Sequence, residues 1–146
     1  MGWLDDLDGQ VVGIDTAPVI YFIEAHPVYL PVVKPFFQQL EDGRFTAVTS
    51  TITLLEVLVH PLRQNRSDLV HKYRLIIRQA KGLTLYGITL DIAEQAAALR
   101  AAYNLRAPDA IQIAASIYVN APFFLTNDHD LQRVTELDVL VLDNLI

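Results

Sequence analysis

Short apolar, β-branched runs alternate along this chain with longer stretches of helical character, and that alternation restricts it to an α/β architecture. Gln10 to Ile14 reads as a buried strand preceded by Asp8-Gly9. Phe45 to Val48, Leu83 to Tyr86, Phe123 to Leu125 and Val139 to Leu142 repeat the signal. Between them lie helical segments. One starts at Asp15-Thr16, has Pro18 in its first turn and runs to about Glu24, and a second spans roughly Val28 to Glu41. Ser50 or Thr51 can cap a helix that Pro61 is expected to stop, and Ser67 is expected to cap another reaching about Ala80. Thr89 caps Leu90 to Tyr103, where Ile92, Ala96, Leu99 and Tyr103 recur at helical spacing. Pro108 begins a helix to about Val119, and Asp128 or Asp130 opens a short one. The expected fold is an α/β/α sandwich around a central, mainly parallel sheet of about five strands.

No linker, repeat or low-complexity tract divides the 146 residues, so residues 1–146 read as a single domain with 1–9 as an N-terminal extension. Charged residues make up 19%, too few for a disordered chain whose hydrophobic share is 52%. No apolar run is long enough to span a bilayer, and Met1-Gly2-Trp3-Leu4-Asp5-Asp6 lacks the basic start of a signal peptide. A cytoplasmic location without a membrane partner is expected. The absence of cysteine excludes thiolate metal sites, and His26, His71 and His129 lack zinc-ligand spacing. The net charge of −6 argues against holding nucleic acid through a broad basic surface, but not against a nuclease whose cation bridges to phosphate.

Four acidic residues stand where a core should begin. Asp15 closes the first strand and Asp128 follows the fourth. Asp109 opens the apolar stretch Ala110 to Ala115. Glu56 lies inside Ile52 to Val59, unable to cap a helix and expected to be buried unless one face of that helix is exposed. Each Asp taken singly has a structural explanation as a cap or a helix-dipole charge. In α/β sheets, however, sites form beyond the carboxyl ends of the strands. Four converging carboxylates would make an oxygen-rich site for a hard divalent cation. Asp130 competes with Asp128 for the fourth place, and Thr16, Thr126 and Asn127 are candidates to position a substrate or water. Mutual repulsion in such a cluster predicts that Asp109→Asn leaves the metal-free protein as stable or more stable.

These residues also carry a resemblance. Ile14-Asp15-Thr16-Ala17-Pro18-Val19-Ile20 resembles the opening motif of PIN domains, and Ser50-Thr51-Ile52-Thr53-Leu54-Leu55-Glu56-Val57 the second. Arg106-Ala107-Pro108-Asp109-Ala110-Ile111-Gln112-Ile113-Ala114 is similar to the third, and Leu125-Thr126-Asn127-Asp128-His129-Asp130-Leu131 to the fourth. The branch most resembled is that of VapC-type toxins of toxin–antitoxin pairs. The resemblance implies a Mg²⁺- or Mn²⁺-dependent endoribonuclease, inhibited by a cognate antitoxin and often a homodimer. It implies Asp15, Glu56, Asp109 and Asp128 as catalytic metal-binding positions, with Asp130 as a possible fifth. Two other readings stand beside it. One is a catalytically silent PIN-like interaction module. The other is an aspartate-nucleophile phosphatase, which would want a second Asp where Ala17 stands.

Overall fold

The computed structural model describes residues 2–146. Its sheet has five strands: β1 (Val11–Ile14), β2 (Thr46–Ser50), β3 (Leu83–Tyr86), β4 (Phe123–Thr126) and β5 (Asp138–Val141). They lie in the order β3-β2-β1-β4-β5, and every neighbouring pair is parallel. All the connections are therefore crossovers, and helices cover both faces. Alternation along the strands separates two cores. Val12, Ile14 and Leu125 face one with Val33, Phe36 and Tyr73, whereas Phe124 faces the other with Ile92, Leu99 and Ile113. The helices are α1 (Thr16–Ile23), α2 (Leu30–Glu41), α3 (Thr51–Arg63), α4 (Ser67–Gln79), α5 (Leu90–Tyr103) and α6 (Ala107–Tyr118). Three short 3₁₀ segments, Trp3–Leu7, His129–Arg133 and Leu142–Leu145, complete the chain. The first of them is packed, with Leu7 wholly buried and the Trp3 ring stacked 6.0 Å from Phe36.

Three local expectations are corrected. Pro61 does not stop its helix: α3 runs through it to Arg63, and Pro61 is buried. A proline removes one donor and crowds the preceding turn, but packing of the helix outweighs that cost here. Ser67 is the first residue of α4, and Arg66 occupies the cap position without a side-chain bond. Glu56 is exposed, because the outward face of α3 carries it beside the exposed Leu55 and Val59. Among the described residues no helix is long and apolar enough to cross a membrane.

Two features of this frame position the site. The chain leaves β1 towards β2 on one side and returns to β4 on the other, so a crevice opens beyond the carboxyl ends of β1 and β4. In addition, α6 lies unusually close to β1. A Cβ placed on Gly13 would sit 1.9 Å from Ser116 Oγ and 2.9 Å from the Phe124 ring. This close approach brings the first turn of α6 over the end of β1.

Candidate active site

Asp15 directly follows β1 and caps α1, its backbone extended at φ −76° and ψ 172°. One carboxylate oxygen accepts the Thr16 backbone N–H at 2.8 Å, and the other accepts the Thr126 hydroxyl at 2.7 Å. Thr126 closes β4, and its Oγ1 in turn accepts the Asp128 N–H at 3.1 Å. One hydroxyl thus ties the two strand-end aspartates together. Asp128 then caps the 3₁₀ turn by accepting the Asp130 N–H at 3.0 Å.

Glu56 arrives from α3, where the Thr16 hydroxyl donates to its Oε1 at 2.6 Å. Asp109 lies in the first turn of α6 and is buried, and the Arg106 guanidinium spans its two oxygens at 3.1 and 3.5 Å. All four carboxylates line one open cavity of about 630 Å³, together with Thr16, Asn127, Thr126, Tyr21, Arg106 and His129. Asp130 does not line it. Its carboxylate is exposed and pairs with Arg133 at 2.9 Å.

Burial, chiefly, pushes Asp15 up to about 6. The Thr126 and Thr16 bonds resist that rise, while the charges of Asp109 and Glu56 add to it. Arg106 is held above its ordinary value by its bond to Asp109, with Asp128 and Glu56 contributing. The cavity is thus a field of crowded negative charge that the guanidinium partly neutralises.

The donor set is anionic and all oxygen, which suits a hard divalent cation that keeps some of its own waters. Among the described residues no three acids or histidines close on a single point as a finished cage. One carboxylate oxygen of Glu56 is held by Thr16, and both of Asp109 by Arg106. A cation would have to draw the Asp109 oxygens from Arg106, whereas the Thr16 bond engages only Oε1 of Glu56.

A family profile described as the PIN domain matches residues 12–137. The chain belongs to the PIN domain family. Among curated proteins none matches it significantly. Solved structures share the fold of this PIN domain at low identity. One is VapBC2 from Rickettsia felis bound to a DNA fragment from their promoter, with TM-score 0.72 and 17% identity over 90% of this chain and 98% of that one. A toxin–antitoxin complex from Klebsiella pneumoniae gives TM-score 0.69 and 24% identity, covering 90% and 97%. Mycobacterium tuberculosis VapC20, a sarcin-ricin loop cleaving toxin, gives 0.67 and 16%, covering 88% and 98%.

Beneath the carboxylates of this PIN domain lies a buried polar layer. Gln112 Oε1 accepts from the Ser50 backbone N–H at 3.2 Å and its hydroxyl at 2.7 Å. Its Nε2 donates to Thr53 at 2.7 Å and Thr16 at 3.2 Å. Thr49 ties the layer to β1 by donating to the Ile14 carbonyl at 2.8 Å. Sequence reasoning assigned no role to Gln112, Thr53 or Arg106. The signals were nonetheless present, since Arg106 and Gln112 stand three residues to either side of Asp109, where a helix start brings side chains together.

Proposed function

We propose that this chain is a divalent-metal-dependent endoribonuclease, the VapC-type toxin of a toxin–antitoxin pair. The observation that carries the reading is the four-carboxylate cavity at the strand-order reversal of a PIN domain. Asp15, Glu56, Asp109 and Asp128 would hold Mg²⁺ or Mn²⁺. When bound, such an ion activates water, neutralises phosphate charge and steadies the leaving oxygen. The chain's own residues set the geometry. Thr126 orients Asp15 and restrains Asp128, Thr16 orients Glu56, and the Gln112 layer fixes the hydroxyls beneath. Thr16, Thr126 and Asn127 line the cavity, where they can position RNA or water. Asp130 is left out of the ligand set because its carboxylate is paired with Arg133 outside the cavity.

A cognate antitoxin has somewhere to bind. An apolar groove of about 660 Å³ between α1, α2, α4 and β3 is lined by Val19, Phe22, Phe37, Leu75 and Ile76. A basic side chain of that partner would complement the acidic cavity. The exposed row Leu55, Val59 and Leu62 on α3 supports a homodimer. The cytoplasm is the fitting location for an enzyme with RNA as substrate.

The test is cleavage of total cellular RNA by purified protein with Mn²⁺ or Mg²⁺, with chelator, and by Asp15→Asn. Metal-dependent fragments lost in the variant support the nuclease. Intact RNA under every condition would leave the silent interaction module as the better reading. Release of phosphate from small monoesters without RNA cleavage would favour the phosphatase.

A further inference from the structure

Arg106 is the one lysine or arginine among the described residues that line the acidic cavity. The other nearby basic groups are engaged elsewhere. Arg133 is bound to Asp130 and to the Tyr103 carbonyl, and His129 to Asp143 at 2.9 Å. The Arg106–Asp109 pair is lopsided. The guanidinium side chain is 76% exposed, whereas that of Asp109 is 12% exposed. Asp109 is therefore the fixed partner and Arg106 the one free to swing. Its root favours that motion, since Arg106 caps α6 from extended backbone at φ −67° and ψ 151°, without a side-chain capping bond.

An exposed guanidinium holds a carboxylate weakly, so a divalent cation with twice the charge can take Asp109 from it. The displaced guanidinium would then sit at the rim of a site whose ligand carries phosphates. Its planar fork matches phosphate oxygens as well as carboxylate oxygens. We propose that Arg106 is the substrate-phosphate contact of this site, parked on Asp109 until a cation takes that carboxylate. The inference rests on the nuclease reading above and assigns a group to its substrate. It makes Arg106 a competitor of the metal before RNA arrives and a partner of the phosphodiester afterwards.

Two measurements with opposite signs test it. The first is Mn²⁺ binding to the RNA-free protein by calorimetry, where Arg106→Ala is expected to bind about threefold or more tightly than wild type. The second is cleavage of total RNA at saturating Mn²⁺. There kcat/KM is expected to fall about tenfold or more, mainly through KM, with Arg106→Lys recovering part. Unchanged or weaker Mn²⁺ binding by Arg106→Ala overturns the proposal, because Arg106 would then merely organise Asp109. Unchanged kcat/KM overturns it as well. A wild-type chain that cleaves no RNA fails the nuclease reading itself, whereas an active wild type beside an equally active Arg106→Ala fails only the assignment of Arg106.

Discussion

The Thr16 hydroxyl donates to Glu56 Oε1 at 2.6 Å, joining the residue after the strand-end aspartate to the acid that α3 brings to the cavity. Because Thr16 is buried and Glu56 exposed, the hydroxyl is the rigid member of the pair. It anchors an exposed glutamate in the cavity that Asp15 also lines.

Thr16→Val keeps the shape of the side chain and removes its hydroxyl, and with it the hold on Glu56. Supporting hydroxyls of this kind commonly account for about 10–100-fold in metal affinity. Mn²⁺ affinity and RNA cleavage should therefore fall together by about tenfold or more. The variant should also lose about 1–2 kcal/mol of stability, because Gln112 Nε2 gives up one of its two acceptors. Calorimetry and denaturant melts check the two halves. Wild-type metal affinity in Thr16→Val would remove Glu56 from the ligand set, since aiming it would then make no difference.

Asp15 gives the site a pH dependence with a definite sign. Its folded value, about 6, lies above the ordinary 3.8, so the folded state binds this proton more tightly than the unfolded chain. Its contribution favours the folded state below about pH 4 and is lost as pH rises through 6, by at most about 3 kcal/mol in the metal-free protein. Asp15→Asn should flatten the pH 4–6 part of the stability curve and raise stability at pH 8. Cation binding needs the ionised form, so Mn²⁺ affinity should rise with pH through about 6, with release of roughly one proton at pH 5. A metal affinity flat from pH 5 to 7 would exclude Asp15 as a ligand.

Asp109 behaves differently from a carboxylate that only repels its neighbours. Repulsion alone predicts that Asp109→Asn is neutral or stabilising without metal. The structure adds the Arg106 pair and a place in the first turn of α6, both of which favour the charge. In the wild-type background we expect Asp109→Asn to cost about 1 kcal/mol. In an Arg106→Ala background the pair is gone, repulsion remains, and the same change should be neutral or stabilising. Thermal melts of the four proteins form a double-mutant cycle. Equal costs in both backgrounds would mean that the ion pair contributes nothing. RNA cleavage should be lost in both Asp109→Asn proteins.

Much of this architecture was legible in the sequence because parallel strands buried on both faces must read as short apolar runs. Val11–Ile14 and Leu83–Tyr86 fall where those runs lie, and Leu90–Tyr103 ends where its apolar period stops. The strand-end aspartates were legible for the same reason, as charges abutting a core. What could not be read was which partners each acid has. Glu56 looked buried because its sequence neighbours are apolar, yet α3 leaves Leu55 and Val59 exposed as well. Asp128 stood ahead of Asp130 only by its place directly after the strand, and the pairing of Asp130 with Arg133, three residues on, was not legible. The Gln112 layer joins residues from α1, β2, α3 and α6, and only the crossing of α6 over the sheet brings them together.

That crossing depends on Gly13, the glycine in the middle of β1. Its backbone is ordinary for a strand; what requires glycine is space, since an added Cβ would lie 1.9 Å from Ser116 Oγ and 2.7 Å from Ser116 Cβ. Ser116 is buried and its hydroxyl is bonded to the Gln112 carbonyl at 3.1 Å, so it cannot simply turn away. Gly13→Ala must push α6 off the sheet, and overpacking of this kind costs about 1–3 kcal/mol or more. The displacement would also carry Asp109 and Gln112 away from Asp15 and Thr16. We therefore expect metal affinity and cleavage to fall along with stability, although Gly13 touches neither metal nor RNA. Ser116→Gly should restore part of all three in the Gly13→Ala background, because it removes the two nearest obstructing atoms while the Phe124 ring at 2.9 Å remains. Denaturant melts and Mn²⁺ titrations of the single and double variants decide the matter. Full stability and metal affinity in Gly13→Ala alone would show that the close seat of α6 on β1 is not what holds the acidic cavity together.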